Sequence, residues 1–147
     1  MGSSDVDSFT ECYEAKGVRL VTSIQAGLPL VLVDPERMGQ VLGNLLDNAL
    51  RHTPAGGSVT ISAASSPGAA EVALSVEDTG DGIPAEHLPH IFERFYRVDT
   101  ARDRTHGGSG IGLAIAWALV EGHGGQLTAA SPGTGQGSTF RILLSSV

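Results

Sequence analysis

One helical stripe constrains this chain more than any other feature. Met38, Val41, Leu42, Leu45, Leu46, Ala49 and Leu50 fall at i, i+3, i+4, i+7, i+8, i+11 and i+12. That is the spacing at which an α-helix presents one continuous apolar face. Asp34 supplies an N-cap and Pro35 the proline favoured at the first helical position, so the helix starts there and runs to about His52, ending before "TPAGG". Such a face must be buried against a second layer. Alternating or apolar runs at 18–24, 28–33, 58–64, 70–78, 125–131 and 137–145 predict strands, the second of them buried, and helices are predicted at 5–16 and 110–122. Short turns between neighbouring strands predict antiparallel pairs. With few helices to cover the sheet, the expected fold is α+β, a two-layer α/β sandwich whose mixed, mostly antiparallel sheet is covered on one face.

Composition fits one such layer pair. The chain has 147 residues, 41% of them hydrophobic, which is the size and content of one domain. Aromatics make up only 5%, so the core must rest on Leu, Val, Ile and Ala. The net charge of −7 disfavours nucleic acid as a partner. Cys12 is the single cysteine, so no intramolecular disulfide can form. The longest apolar run, residues 111–120, is about half a membrane span, and no signal peptide is evident. Residues 1–4, "MGSS", read as an expression leader, leaving 5–147 as one domain.

Four stretches carry chemistry. On the predicted helix, Gln40, Asn44 and Asn48 recur every four residues on a face of their own, with Arg51 and His52 a turn further on. Asparagine is a mediocre helix former, so two of them mid-helix need a reason. An amide oxygen suits Mg²⁺, and Arg and His suit phosphate, although a solvated face explains the row equally well. "DTGDGIP" at 78–84 ends a strand on a carboxylate followed by Gly80 and Gly82, as a ligand loop or a tight turn would. "GGSGIGLAI" at 107–115 leads glycine-rich backbone into an apolar helix, an anion site or a linker. "GTGQGSTF" at 133–140 reads by itself as a hairpin turn.

In this order, with the aromatic patch "FERFYR" between the second and third, the stretches resemble the catalytic ATP-binding domain of sensor histidine kinases, of the superfamily that also holds gyrase, Hsp90 and MutL. The resemblance covers residues 16–145 and implies a Bergerat-type ATP-binding fold. It implies that Asn48 binds the Mg²⁺ bridging the ATP phosphates and that Asn44 supports it. Arg51 and His52 then match phosphate and nucleotide contacts. Asp78 matches the carboxylate that reads the adenine amino group, in a pocket shaped by Gly80, Gly82 and Ile83. Phe92 and Phe95 resemble anchors of an ATP lid, expected over 97–108 and mobile without nucleotide. Gly108, Gly110 and Gly112, with Ile111 and Leu113, resemble its phosphate-binding hinge, and Thr139 the hydroxyl behind the adenine, near Asp78.

The hydrolysing branch of the superfamily carries a glutamate base where this chain has Asn44. A neutral amide accepts no proton at useful pH, so the resemblance implies a phosphotransferase. An anti-sigma-type serine kinase and an ATPase are the alternatives. Of the five histidines, His52, His87, His90, His106 and His123, none has the acceptor context of the family. The expected partners are therefore ATP, a separate dimerisation domain bearing the acceptor histidine and, indirectly, a response regulator. The resemblance further implies a cytoplasmic domain, monomeric by itself, of a parent anchored in the membrane.

Overall fold

The computed structural model describes residues 3–29, 31–65, 70–94 and 112–145, with the side chains of 3–9 left aside. Its elements are α1 (Ser3–Lys16), β1 (Arg19–Ile24), α2 (Pro35–His52), β2 (Ser58–Ala64), β3 (Glu71–Asp78), a single 3₁₀ turn (Leu88–His90), α3 (Gly112–Gly122), β4 (Gln126–Ala130) and β5 (Ser138–Ser145). The strands form one sheet in the order β1-β2-β3-β5-β4. Pairs β2–β3, β3–β5 and β4–β5 are antiparallel. β1–β2 is parallel, because the chain crosses from one to the other through α2, as a parallel pair requires.

The apolar stripe explains the layers. Met38, Val41, Leu45, Leu46 and Ala49 of α2 are buried in a core shared with Val59, Val76, Phe140, Ile142 and Leu144 of the sheet and with Ala116 and Val120 of α3. The other sheet face carries Ser62, Ser75, Arg141 and Thr128, in register across β2, β3, β5 and β4. The sheet is thus covered by helices on one side, as expected. The Asp34 carboxylate accepts from the backbone N–H of Glu36 and Arg37, so the predicted cap forms.

Two expectations fail here. The described residues of the apolar run 28–33 form no strand: Val31 makes one isolated bridge and Leu32 is 86% exposed. Pro29 lacks an N–H, and the run ends in a helix cap whose Asp34 N–H donates to His123 Nε2 at 3.1 Å instead of to a strand. The same ring's Nδ1 donates to the Leu119 carbonyl oxygen at 2.8 Å, which ties the start of α2 to the end of α3. The first helix also begins at Ser3, two residues before the predicted start at 5.

α1 is part of the domain. Tyr13 is 1% exposed, and its hydroxyl donates to the Leu46 carbonyl oxygen of α2 at 2.6 Å. Lys16 Nζ donates to the carbonyl oxygens of Leu50 and Arg51, placing a cation at the C-terminal end of α2, where the helix dipole favours one.

Candidate functional site

The site lies where the polar side of α2 meets the loop after β3 and the start of α3. Asn48 is 9% exposed, a largely buried polar residue with no side-chain hydrogen bond among the described residues. Asn44 Nδ2 donates to the Gly112 carbonyl oxygen at 3.0 Å, tying α2 to the first residue of α3. Leu113 packs against the core beside it. One turn on, Arg51 pairs with Asp47 at 3.6 Å, and the buried Arg51 Nε finds no hydrogen-bond acceptor among the described residues.

The end of α2 presses on the loop 78–84. The His52 carbonyl oxygen accepts from Asp81 N–H at 3.0 Å, and the His52 ring lies 3.5 Å from the Asp81 carboxylate. Gly80 packs so closely that a β-carbon there would collide with the His52 carbonyl oxygen. Gly82 has φ +72°, and a β-carbon on it would strike the Gly133 carbonyl oxygen. Only glycine fits both places. Ile83 is buried and belongs to the core.

Asp78 ends β3 and is 5% exposed. Its Oδ1 accepts from Gly80 N–H at 2.9 Å and its Oδ2 from Ser138 Oγ at 2.7 Å. Burial pushes its carboxyl above the usual aspartate range. The bonds from Ser138 Oγ, Gly80 N–H and Ser138 N–H, together with nearby His52, pull it back in part. A carboxylate offers about four acceptor positions, so these donors leave room for one from a ligand. Tyr13 lies near enough that Asp78 and Asp47 reinforce the effect of burial in raising its phenol.

Thr139 is corrected by the strand register. Asp78 pairs with Ser138, so Ser138 shares its face, while Thr139 pairs with Glu77 on the opposite face. The hydroxyl beside the carboxylate is Ser138. The sequence carried the signal: Phe140, Ile142 and Leu144 point inward, and counting back by twos gives 138. Phe92 stands edge-on to Phe140, with ring centroids 6.1 Å apart and planes at 78°, so the first ring of the aromatic patch is anchored against the core. Phe95, Gly108, Gly110 and Ile111, and the lid expected over 97–108, lie outside the described residues. Asp81 and Ser131, both built into the loop contacts, were not singled out by the sequence reading.

A two-layer α+β domain with a polar helix row, a buried strand-end carboxylate and a glycine loop pressed on that helix belongs to the class of nucleotide-site folds. Residues 33–146 match the family of histidine kinase-, DNA gyrase B- and HSP90-like ATPases, and the chain belongs to this family. It is 40% identical over 139 residues to the adaptive-response sensory kinase SasA of Synechococcus elongatus, covering 95% of this chain and 35% of that protein. It is 44% identical over 114 residues to the sensor histidine kinase WalK of Bacillus subtilis, covering 78% of this chain and 18% of WalK. The chain therefore spans about a third or less of these relatives. Among solved structures, the catalytic domain of the histidine kinase ThkA superposes with a TM-score of 0.82 at 26% identity, covering 97% of this chain and 88% of that one. The mycobacterial sensor histidine kinase MprB gives 0.79 at 28% identity, covering 98% and 93%. Full-length ShkA in complex with AMPPNP gives 0.78 at 31% identity, covering 98% of this chain and 30% of ShkA. The chain thus has the fold of a histidine kinase catalytic domain.

Proposed function

We propose that this chain binds Mg-ATP between the polar side of α2, the 78–84 loop and the start of α3, and presents the γ-phosphoryl group to a histidine on a separate dimerisation domain. The observation that carries this reading is the polar row of α2, where Asn48 is 9% exposed and the buried Arg51 Nε has no hydrogen-bond acceptor among the described residues, with His52 at its end and the carboxylate of Asp78 beyond. Asp78 would accept the adenine amino group while Ser138 and Gly80 hold its oxygens. Family membership and the relation of ShkA, seen with AMPPNP, support the same ligand.

The residues present fit Mg²⁺. Among the described residues no group of three or more His, Cys, Asp or Glu could hold a metal by itself. A neutral amide pair at Asn48 and Asn44 suits a small hard cation that arrives with phosphate oxygens and keeps some water. When bound, the ion would neutralise phosphate charge. Asn44, whose NH₂ is given to the Gly112 carbonyl, cannot serve as a base toward water. That favours transfer over hydrolysis. The product would pass on to a response regulator. No helix among the described residues is long and apolar enough to cross a membrane, and the proposed setting is the cytoplasmic part of a membrane-anchored sensor.

Calorimetric titration of ATP with and without Mg²⁺, on the parent and on Asn48→Ala, tests the reading. The parent should bind more tightly with Mg²⁺, and the variant should keep its fold but lose that gain. An unchanged Mg²⁺ response in Asn48→Ala would remove Asn48 from the metal site.

A further inference from the structure

Ser131, immediately after β4, is outside every motif discussed above, yet it is the most connected hydroxyl of the described residues. Its Oγ accepts from Ile83 N–H at 3.0 Å and from Gly133 N–H at 3.2 Å. It lies 2.7 Å from the Gly137 carbonyl oxygen and 3.3 Å from that of Gly133. A serine hydroxyl has one proton and two lone pairs. The proton goes to the nearer carbonyl, Gly137, the two N–H groups take the lone pairs, and the hydroxyl is saturated.

These partners lie on two different loops. Ile83 belongs to the loop after Asp78, and Gly133 and Gly137 to the connection between β4 and β5. The loops also meet through backbone: Gly137 N–H donates to the Gly80 carbonyl oxygen at 3.2 Å, and Gly135 N–H to that of Asp81 at 2.5 Å. A β-carbon at Gly137, φ +77°, would strike the Asp78 carbonyl oxygen. Of the donors to the Asp78 carboxylate, Gly80 N–H comes from the first loop, and Ser138 Oγ from the first residue of β5, which the second loop delivers through Gly137. The angle of the carboxylate therefore depends on the two loops keeping their relative position, and Ser131 is the side chain that holds both.

We infer that Ser131 is a positioning residue for base recognition, fixing through both loops the donors that aim Asp78. This rests on the nucleotide reading of the site. Removing the hydroxyl leaves Ile83 N–H and the Gly137 carbonyl oxygen without their partner and frees the loops to shift.

The test measures binding of ADP, GDP and tripolyphosphate to the parent, Ser131→Ala and Ser131→Thr, each checked for folding by circular dichroism. Ser131→Ala should lose about tenfold in ADP affinity (about 1.4 kcal/mol) and should narrow the ADP/GDP ratio by a similar factor. Tripolyphosphate, which has no base, should bind as it does to the parent. Ser131→Thr keeps the hydroxyl and should restore the ratio, which a purely structural role would not demand. Should Ser131→Ala not fold, Ser131→Cys takes its place, since a thiol fills the space but donates and accepts weakly. A parent-like ADP/GDP ratio in folded Ser131→Ala or Ser131→Cys, or an equal loss for tripolyphosphate, overturns the role of Ser131. A parent that binds no ADP refutes instead the nucleotide reading beneath it.

Discussion

At the scale of single residues, Asp78 is subject to two opposing demands. Burial favours its neutral form and raises its carboxyl above the ordinary aspartate range. Reading an amino group requires the ionised form, which only accepts. The pH dependences of stability and binding therefore have opposite signs. A carboxyl whose folded pKa exceeds its unfolded one contributes stability that is fully present below the unfolded value. That stability is lost as pH rises through the folded value. Asp78→Asn should thus gain on the parent in urea unfolding as pH rises through that window. Binding runs the other way. ADP affinity of the parent should fall as pH is lowered through the same raised pKa, and a protonated carboxyl could then donate to the guanine carbonyl. At neutral pH the parent should favour ATP over GTP by roughly ten- to a hundredfold, from about 1–3 kcal/mol for a buried acceptor set against another acceptor. Asp78→Asn, whose amide can present either its oxygen or its NH₂, should lose most of that preference. A variant that keeps the parent's ATP/GTP ratio would reduce Asp78 to the cap of the Gly80 turn.

Between elements, α1 shows what a weak pattern can conceal. Its sequence gives no amphipathic stripe comparable to that of α2, yet Tyr13 enters the core and bonds α2 at Leu46. Tyr13→Phe removes one hydrogen bond and should cost about 0.5–1.5 kcal/mol. Tyr13→Ala also empties a core position and should cost about 3–5 kcal/mol. Urea denaturation measures both, and a loss for Tyr13→Ala no larger than for Tyr13→Phe would mean that α1 merely rests on the body. The elements with strong periodic patterns were legible: the stripe and cap of α2, the alternation of β3 and β5, the apolar run of α3. What sequence could not supply were facts that depend on the neighbour. The parallel pairing of β1 with β2 follows from where α2 returns the chain. Residues 28–33 have a strand's composition, but His123 takes the N–H of Asp34. Ser131 matters because two loops close on it, and neither loop's sequence says so. Thr139 was a different kind of miss, since the inward phase of Phe140, Ile142 and Leu144 already pointed to Ser138.

For the whole molecule, the question is what this fold can complete by itself. Every site role proposed above is to hold or read a nucleotide, and none is to receive a phosphoryl group. His52 is pressed into the site against Asp81, and His123 uses both ring nitrogens to join α2 and α3. His90 pairs with Glu93 at 2.8 Å in the turn before the aromatic patch, and His87 lies near Glu86. Each of these four has a neighbour of its own within the fold, and His106 lies outside the described residues. The proposed reaction therefore depends on a histidine brought from another domain. Purified chain given γ-labelled ATP and Mg²⁺ should bind nucleotide without labelling itself. Added dimerisation domain from its cognate kinase should become labelled on histidine, as acid-labile, base-stable phosphate. The rate should be first order in that domain at low concentration, because docking is then bimolecular and the proximity gained within one molecule is lost. Asn48→Ala should abolish this transfer with the fold intact, as expected if phosphate and metal are held from α2. Acid-stable phosphoserine would point instead to a serine kinase. Rapid self-labelling on one of the chain's own five histidines would show that the acceptor is already present, and the division between a holding half and a receiving half would be wrong.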